Sequence, residues 1–178
     1  MRDILQLKDF LITRLHVDWK SPTQPAKNEE SFRDNLTVDY DVLRNPETQH
    51  LFALEFRVRV APKNRDGAGY SIEAEIVGFF DFPETMEEEK IQYLVRVNGG
   101  TILYGILRGQ IALITGSFAG GKYTLPTVFM TDVVKQVEAT RARPKAKHWA
   151  KRQVSAKNVG AANSTIAAKK AETRLKKK

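Results

Sequence analysis

From Leu51 to Val60 every second residue is large and apolar: Phe52, Leu54, Phe56, Val58 and Val60 alternate with Ala53, Glu55, Arg57 and Arg59. Successive side chains of a strand point to opposite faces, so this period of two places all five on one face of a sheet. The turn-forming run PKNRDGAG follows, and then Tyr70, Ile72, Ala74 and Ile76 alternate with Ser71, Glu73 and Glu75. Two such runs joined by turn residues predict an antiparallel hairpin. Upstream, Leu36, Val38, Tyr40 and Val42 alternate with Thr37, Asp39 and Asp41. A fourth strand is predicted from Phe10 to Trp19, with apolar residues on both faces and therefore burial on both. The polar stretch KSPTQPAKNEESFRDN between Trp19 and Leu36 is too long for a tight hairpin and predicts a crossover over the sheet.

After Phe82-Pro83 the period changes. Thr85 is an expected N-cap, and Glu87, Glu88 and Glu89 would occupy a first turn, where carboxylates meet the positive end of a helix. Ile91, Leu94 and Val95 fall at helical spacing, and Asn98-Gly99-Gly100 is expected to break the helix. A second stripe follows with Ile102, Leu103, Ile106, Leu107, Gln110, Ile111 and Ile114. Beyond Pro126 a shorter helix is expected from the apolar residues Val128, Phe129, Met130, Val133, Val134 and Val137, with Thr131 as its N-cap and about half of its apolar residues exposed. The outline is an α+β chain: a four-stranded antiparallel sheet, a long broken helix and a shorter C-terminal helix.

Between the two helical regions lies GSFAGGKYT, Gly116 to Thr124, one residue short of a phosphate-binding loop. Gly116, Gly121 and Lys122 have the right spacing, but Tyr123 occupies the position of the metal-binding hydroxyl. Such a loop also needs a helix after it, with free N–H groups aimed at phosphate. Here the helix comes first and presents its negative end. The cluster therefore reads as a turn, with Gly116 as a helix stop.

Composition narrows the function. The chain has 178 residues, 42% of them hydrophobic, and no cysteine, so disulfides, zinc-thiolate sites and cysteine nucleophiles are excluded. His16, His50 and His148 show no ligand spacing, and no nucleophile stands in register with a base. No catalytic, metal-binding or cofactor-binding residue is expected, and no enzyme. There is no run of ~20 apolar residues to span a membrane, so a cytoplasmic protein is the expectation. The net charge of +8 is unevenly spread. From Glu138 onward thirteen Lys and Arg face only Glu138 and Glu172; Met1–Val137 keeps 16 of the 29 bases and 19 of the 21 acids, a balance of −3. The expected division is a domain over 1–138 and a basic, disordered tail over 139–178.

The helical run Ile102-Leu103-Tyr104-Gly105-Ile106-Leu107-Arg108-Gly109-Gln110-Ile111 resembles the SecB family of protein-export chaperones at Ile102, Leu103, Tyr104, Arg108 and Ile111. Leu125-Pro126-Thr127-Val128-Phe129-Met130 and the strand LEFRVRV are similar to family stretches as well. The likeness covers about Leu7 to Glu138. Gly105 and Gly109 replace a proline and an acid common in the family, and the basic tail departs from its short or acidic C-terminus. The chain is closer to the divergent SecB-like proteins, some of which serve toxin–antitoxin systems.

The resemblance implies a cytoplasmic homotetramer, a dimer of dimers, that holds unfolded client polypeptides in an apolar groove. The groove would lie between the crossover loop and the final helix, with Trp19, Leu43, Leu125, Val128, Phe129, Met130 and Val134 gripping the client. Tyr104, Leu107 and Ile111 would pack between subunits, and the SecA motor enters as a partner. Charge alone suggests an alternative, a nucleic-acid-associated protein acting through its basic tail. That tail has only Trp149 for base stacking.

Overall fold

The computed structural model describes residues 5–22, 34–45, 48, 50–63 and 67–142. Most of the predicted crossover, His148 and nearly all of the basic tail lie outside the described residues. The chain divides into Met1–Glu138 and Ala139–Lys178, and of the second unit only the end of a helix is described.

Four antiparallel strands form one sheet: β1 (Gln6–Lys20), β2 (Asp34–Arg44), β3 (Leu51–Pro62) and β4 (Gly69–Asp81), in the order β1-β4-β3-β2. The two strands joined by the long polar connection, β1 and β2, therefore stand at opposite edges of the sheet. The hairpin of β3 and β4 forms the centre, where Phe52, Leu54, Phe56, Val58, Val60, Ile72, Ile76 and Phe80 are all buried. The period-two reading of these strands holds along their whole length.

β1 differs from its expected double burial. It is an edge strand, with Phe10 38% and Leu11 54% exposed. Two register shifts against β4, one between Leu7 and Asp9 and one between Ile12 and Arg14, each insert an extra residue. A bulge of this kind reverses which residues face the core. Leu7, Phe10, Ile12, Leu15, Val17 and Trp19 consequently all pair with core-facing residues of β4, namely Phe80, Gly78, Ile76, Ala74, Ile72 and Tyr70. The irregular spacing in the sequence is one face interrupted twice.

The helices cover that same face of the sheet. α1 (Glu88–Leu94) continues through a π-helical turn (Val95–Gly99) into α2 (Gly100–Thr115) without a gap. Thr85 does not cap it: the N-cap is Glu87, which makes no side-chain capping bond. Asn98-Gly99-Gly100, expected to break the helix, lies inside it. Ile91, Val95, Gly99, Leu103, Leu107, Ile111 and Thr115 are all buried, at a strict spacing of four. On an ideal α-helix such a stripe drifts by about 40° per step. The π-turn, with its i→i+5 bonding, takes up part of that rotation and keeps the stripe on the sheet. The two glycines serve close approach: a Cβ at Gly99 would meet Phe80 at 3.2 Å and Leu54 at 3.3 Å, and one at Gly100 would meet Met130 Sδ at 3.1 Å.

α3 (Met130–Ala142) starts two residues earlier than an N-cap at Thr131 would give, with the carbonyl of Phe129 accepting from the N–H groups of Asp132 and Val133. It runs past the expected boundary at 138. Three of the six apolar residues of the run, Met130, Val134 and Val137, are buried. No helix among the described residues is long and apolar enough to cross a membrane.

Candidate functional site

The candidate site centres on the segment from Gly116 to Met130, which carries the chain from the end of α2 to α3. Its first part closes over an aromatic cluster. Trp19 lies 4.8 Å from Tyr70 between ring centroids, and Tyr70 in turn contacts Tyr123 at 5.3 Å and Phe118 at 6.2 Å. The glycines of the near-phosphate-loop motif serve this packing. A Cβ on Gly120 would come within 2.5 Å of the Trp19 indole, and Gly121 has φ +74, a left-handed conformation that favours glycine. The Tyr70 hydroxyl donates to the Gly121 carbonyl, and burial raises its pKa. Gly116, expected as a helix stop, caps α2 in a right-handed conformation at φ −56.

Polar ties hold the rest of the segment. The fully buried Thr115 hydroxyl donates to the Ile111 carbonyl at 2.6 Å and accepts from the Tyr123 N–H at 2.8 Å. The Tyr104 hydroxyl donates to the Pro126 carbonyl, and Arg108 Nη1 donates to Thr127 Oγ1 at 3.3 Å. Leu125 is fully buried between these ties. Burial pushes the Tyr104 phenol up to about 12 against a smaller opposing pull from Arg108, so the hydroxyl stays a donor at neutral pH.

The seven expected client-gripping residues therefore fall into four groups. Leu125, Met130 and Val134 belong to the core. Trp19 and Val128 are partly buried against it, and Phe129 stands out at 77% exposure. Leu43, 49% exposed, pairs with Ala53 and so lies on the sheet face turned away from the helices, apart from the other six. Tyr104, Leu107 and Ile111, expected between subunits, are buried within this chain, where Tyr104 stands edge-on to Phe56. The open side of α2 instead presents Leu113, 73% exposed, with Ile114 and the half-buried Ile102 and Ile106. Along that side Gly105 and Gly109 have nothing within 4 Å of a Cβ.

A concavity of about 710 Å³ lies between α1 with its π-helical turn and α3, lined by Tyr93, Val97 and Val134 together with the charged Glu89 and Lys135. Arg96 bridges it, donating to Glu138 at 2.8 Å and to Gln92 at 3.2 Å. Sequence reasoning passed over it; its one signal was Tyr93, an aromatic set off the buried stripe. The outer sheet face is of another kind. One row across it reads Arg14, Glu75, Arg57, Asp39, and the next reads His16, Glu73, Arg59, Thr37. Arg59 reaches Glu73 at 3.0 Å, and Arg57 is bound by Asp41, by Asp39 at 3.2 Å and by Glu55 at 3.5 Å. Its pKa is raised, most of all by the hydrogen bond to Asp41. Charges of alternating sign make this part of the face costly to bury. No cluster of three or more potential metal ligands occurs among the described residues.

This architecture has a solved counterpart. A SecB-like chaperone of Mycobacterium tuberculosis, determined in complex with a ChAD peptide from the HigA1 antitoxin, superimposes with a TM-score of 0.57. The match covers 70% of this chain and 91% of that one, at 20% identity. The fold is SecB-like. At that identity the likeness concerns the fold. A Streptococcus agalactiae protein of unknown function also matches, at 12% identity over 69% of this chain and 97% of that one, but its TM-score of 0.39 is too low to carry an argument. No family model and no curated protein matches the sequence. Within the SecB-like fold, Phe129 before α3 and Leu113 on the open side of α2 are the most exposed large apolar side chains among the described residues.

Proposed function

We propose that this protein is a chaperone that holds unfolded polypeptides on exposed apolar side chains and catalyses no reaction. The observation that carries the reading is Phe129: a large ring, 77% exposed, on a segment tied down by the core beside the last helix of a SecB-like fold. A holding chaperone binds the unfolded state and shifts folding equilibria by mass action, which calls for apolar surface and little specificity. The neighbouring chaperone's antitoxin peptide supports a toxin–antitoxin client here ahead of an export client handed to the SecA motor. The working form is a cytoplasmic homotetramer, in which several weak sites add by avidity. Ile102, Ile106, Leu113 and Ile114 are the surface of α2 offered to other copies, in place of the buried Tyr104, Leu107 and Ile111. The basic tail over 139–178, apart from the four residues that finish α3, is dispensable for this activity.

The test is suppression of aggregation of a chemically denatured protein by the full chain and by a chain ending at Ala142, where α3 ends. Equal suppression by both is expected. Loss of suppression on truncation, with the full chain retaining nucleic acid in a salt-dependent way, would favour the nucleic-acid reading instead.

A further inference from the structure

We infer that Tyr104 is a positioning residue for client capture: its hydroxyl holds the backbone at Pro126 so that Phe129 stands out of the surface as a fixed apolar anchor. This rests on the chaperone reading above and adds to it a residue that touches no client. The four residues Pro126–Phe129 are stretched between two anchors, the fully buried Leu125 and Met130, whose side chain lies against Gly100. Between the anchors, Tyr104 binds the Pro126 carbonyl and Arg108, one turn further along α2, binds Thr127 Oγ1. On the other side the Phe129 carbonyl takes the first N–H groups of α3, at 3.0 Å from Asp132 and 3.1 Å from Val133. The backbone is thus held on both sides of a ring that itself makes little contact.

Fixing the ring in advance lowers the entropy lost when it grips a client. Packing alone does not explain the tyrosine. A phenylalanine would fill the same space against Phe56 and would have no buried hydroxyl to satisfy.

The experiment compares the full-length wild type, Tyr104→Phe, Phe129→Ala and the double variant. Each is titrated against fluorescently labelled, reduced and carboxymethylated lactalbumin, a permanently unfolded probe, and the Kd is read by anisotropy. Melting temperature and light scattering are measured on the same samples. Phe129→Ala should weaken binding by roughly tenfold, as for an anchor residue, and Tyr104→Phe by roughly fivefold. The double variant should bind no more weakly than Phe129→Ala alone, because the hydroxyl acts only through the ring. Unchanged affinity in Tyr104→Phe, or two losses that multiply, would overturn the inference while leaving the chaperone reading in place. Full affinity in Phe129→Ala would overturn the anchor and the inference together, and no binding of the probe by the wild type would overturn the chaperone reading itself. Should Tyr104→Phe melt too early to titrate at room temperature, the same four titrations are run in the cold, where the variant is folded. A loss that depends on Phe129 is again expected, and unaltered affinity again overturns the inference.

Discussion

Gly120 and Gly105 are the same residue type under opposite constraints. A methyl on Gly120 would enter the Trp19 ring, whereas one on Gly105 would meet nothing. Gly120→Ala should therefore destabilise the chain by about 1–3 kcal/mol through overpacking, seen as a lowered melting temperature with altered Trp19 fluorescence. In the single chain, Gly105→Ala should add roughly 1 kcal/mol of stability through helix propensity. Tyr104 makes a prediction about pH. Its folded pKa, about 12, lies above the ordinary tyrosine value, so the unfolded chain loses the proton first. The stability it contributes is complete below pH ~10 and is lost as pH rises toward 12. Urea unfolding at stepped alkaline pH should show this decline, and Tyr104→Phe should flatten part of it, the remainder belonging to Tyr70, whose pKa is also raised. At this scale the sequence named Phe129 and Tyr104 as residues of interest. It could not tell that one is bare and the other buried, because an apolar stripe records which residues avoid water and not which neighbour shields them.

The elements were legible to different degrees. β3 and β4 were read in full because both lie in the middle of the sheet with one face packed, the condition that produces clean alternation. β1 was misread, because its two bulges put a step of three into a period of two and gave one apolar face the look of two. Removing Thr13, the extra residue at the second bulge, should turn the Leu7–Ile12 half of β1 to the wrong face. The expected cost is on the order of 2–4 kcal/mol, the burial of one or two large side chains, measured by chemical denaturation. The helix α1–α2 was read as broken at Asn98-Gly99-Gly100 because glycine usually ends a helix. Here it instead lets the helix lie close on Phe80 and Leu54. Both of those side chains are fully buried and have no room to yield. Gly99→Ala should accordingly lower the melting temperature where Gly105→Ala raises it, the one pressing on the sheet and the other facing away from it.

For the whole molecule, the open side of α2 is the place to test assembly. Leu113 is 73% exposed, so Leu113→Lys should leave the melting of the single chain almost unchanged. In a tetramer built on that side it should dissociate the particle, which light scattering would read as a fall in mass. A particle of unchanged mass would place the subunit contacts elsewhere. The sequence by itself determined the α+β class, the four strands and the helical character of the regions that follow them. All of these rest on local period and turn chemistry, which neighbouring residues encode together. Only the tertiary structure decided which apolar residues are core and which are surface, that Leu43 faces away from α3, that the GSFAGGKYT glycines make room for Trp19, and that Tyr104 ties down Pro126. Those facts join residues far apart in the chain, and a contact between distant segments leaves no period in either of them.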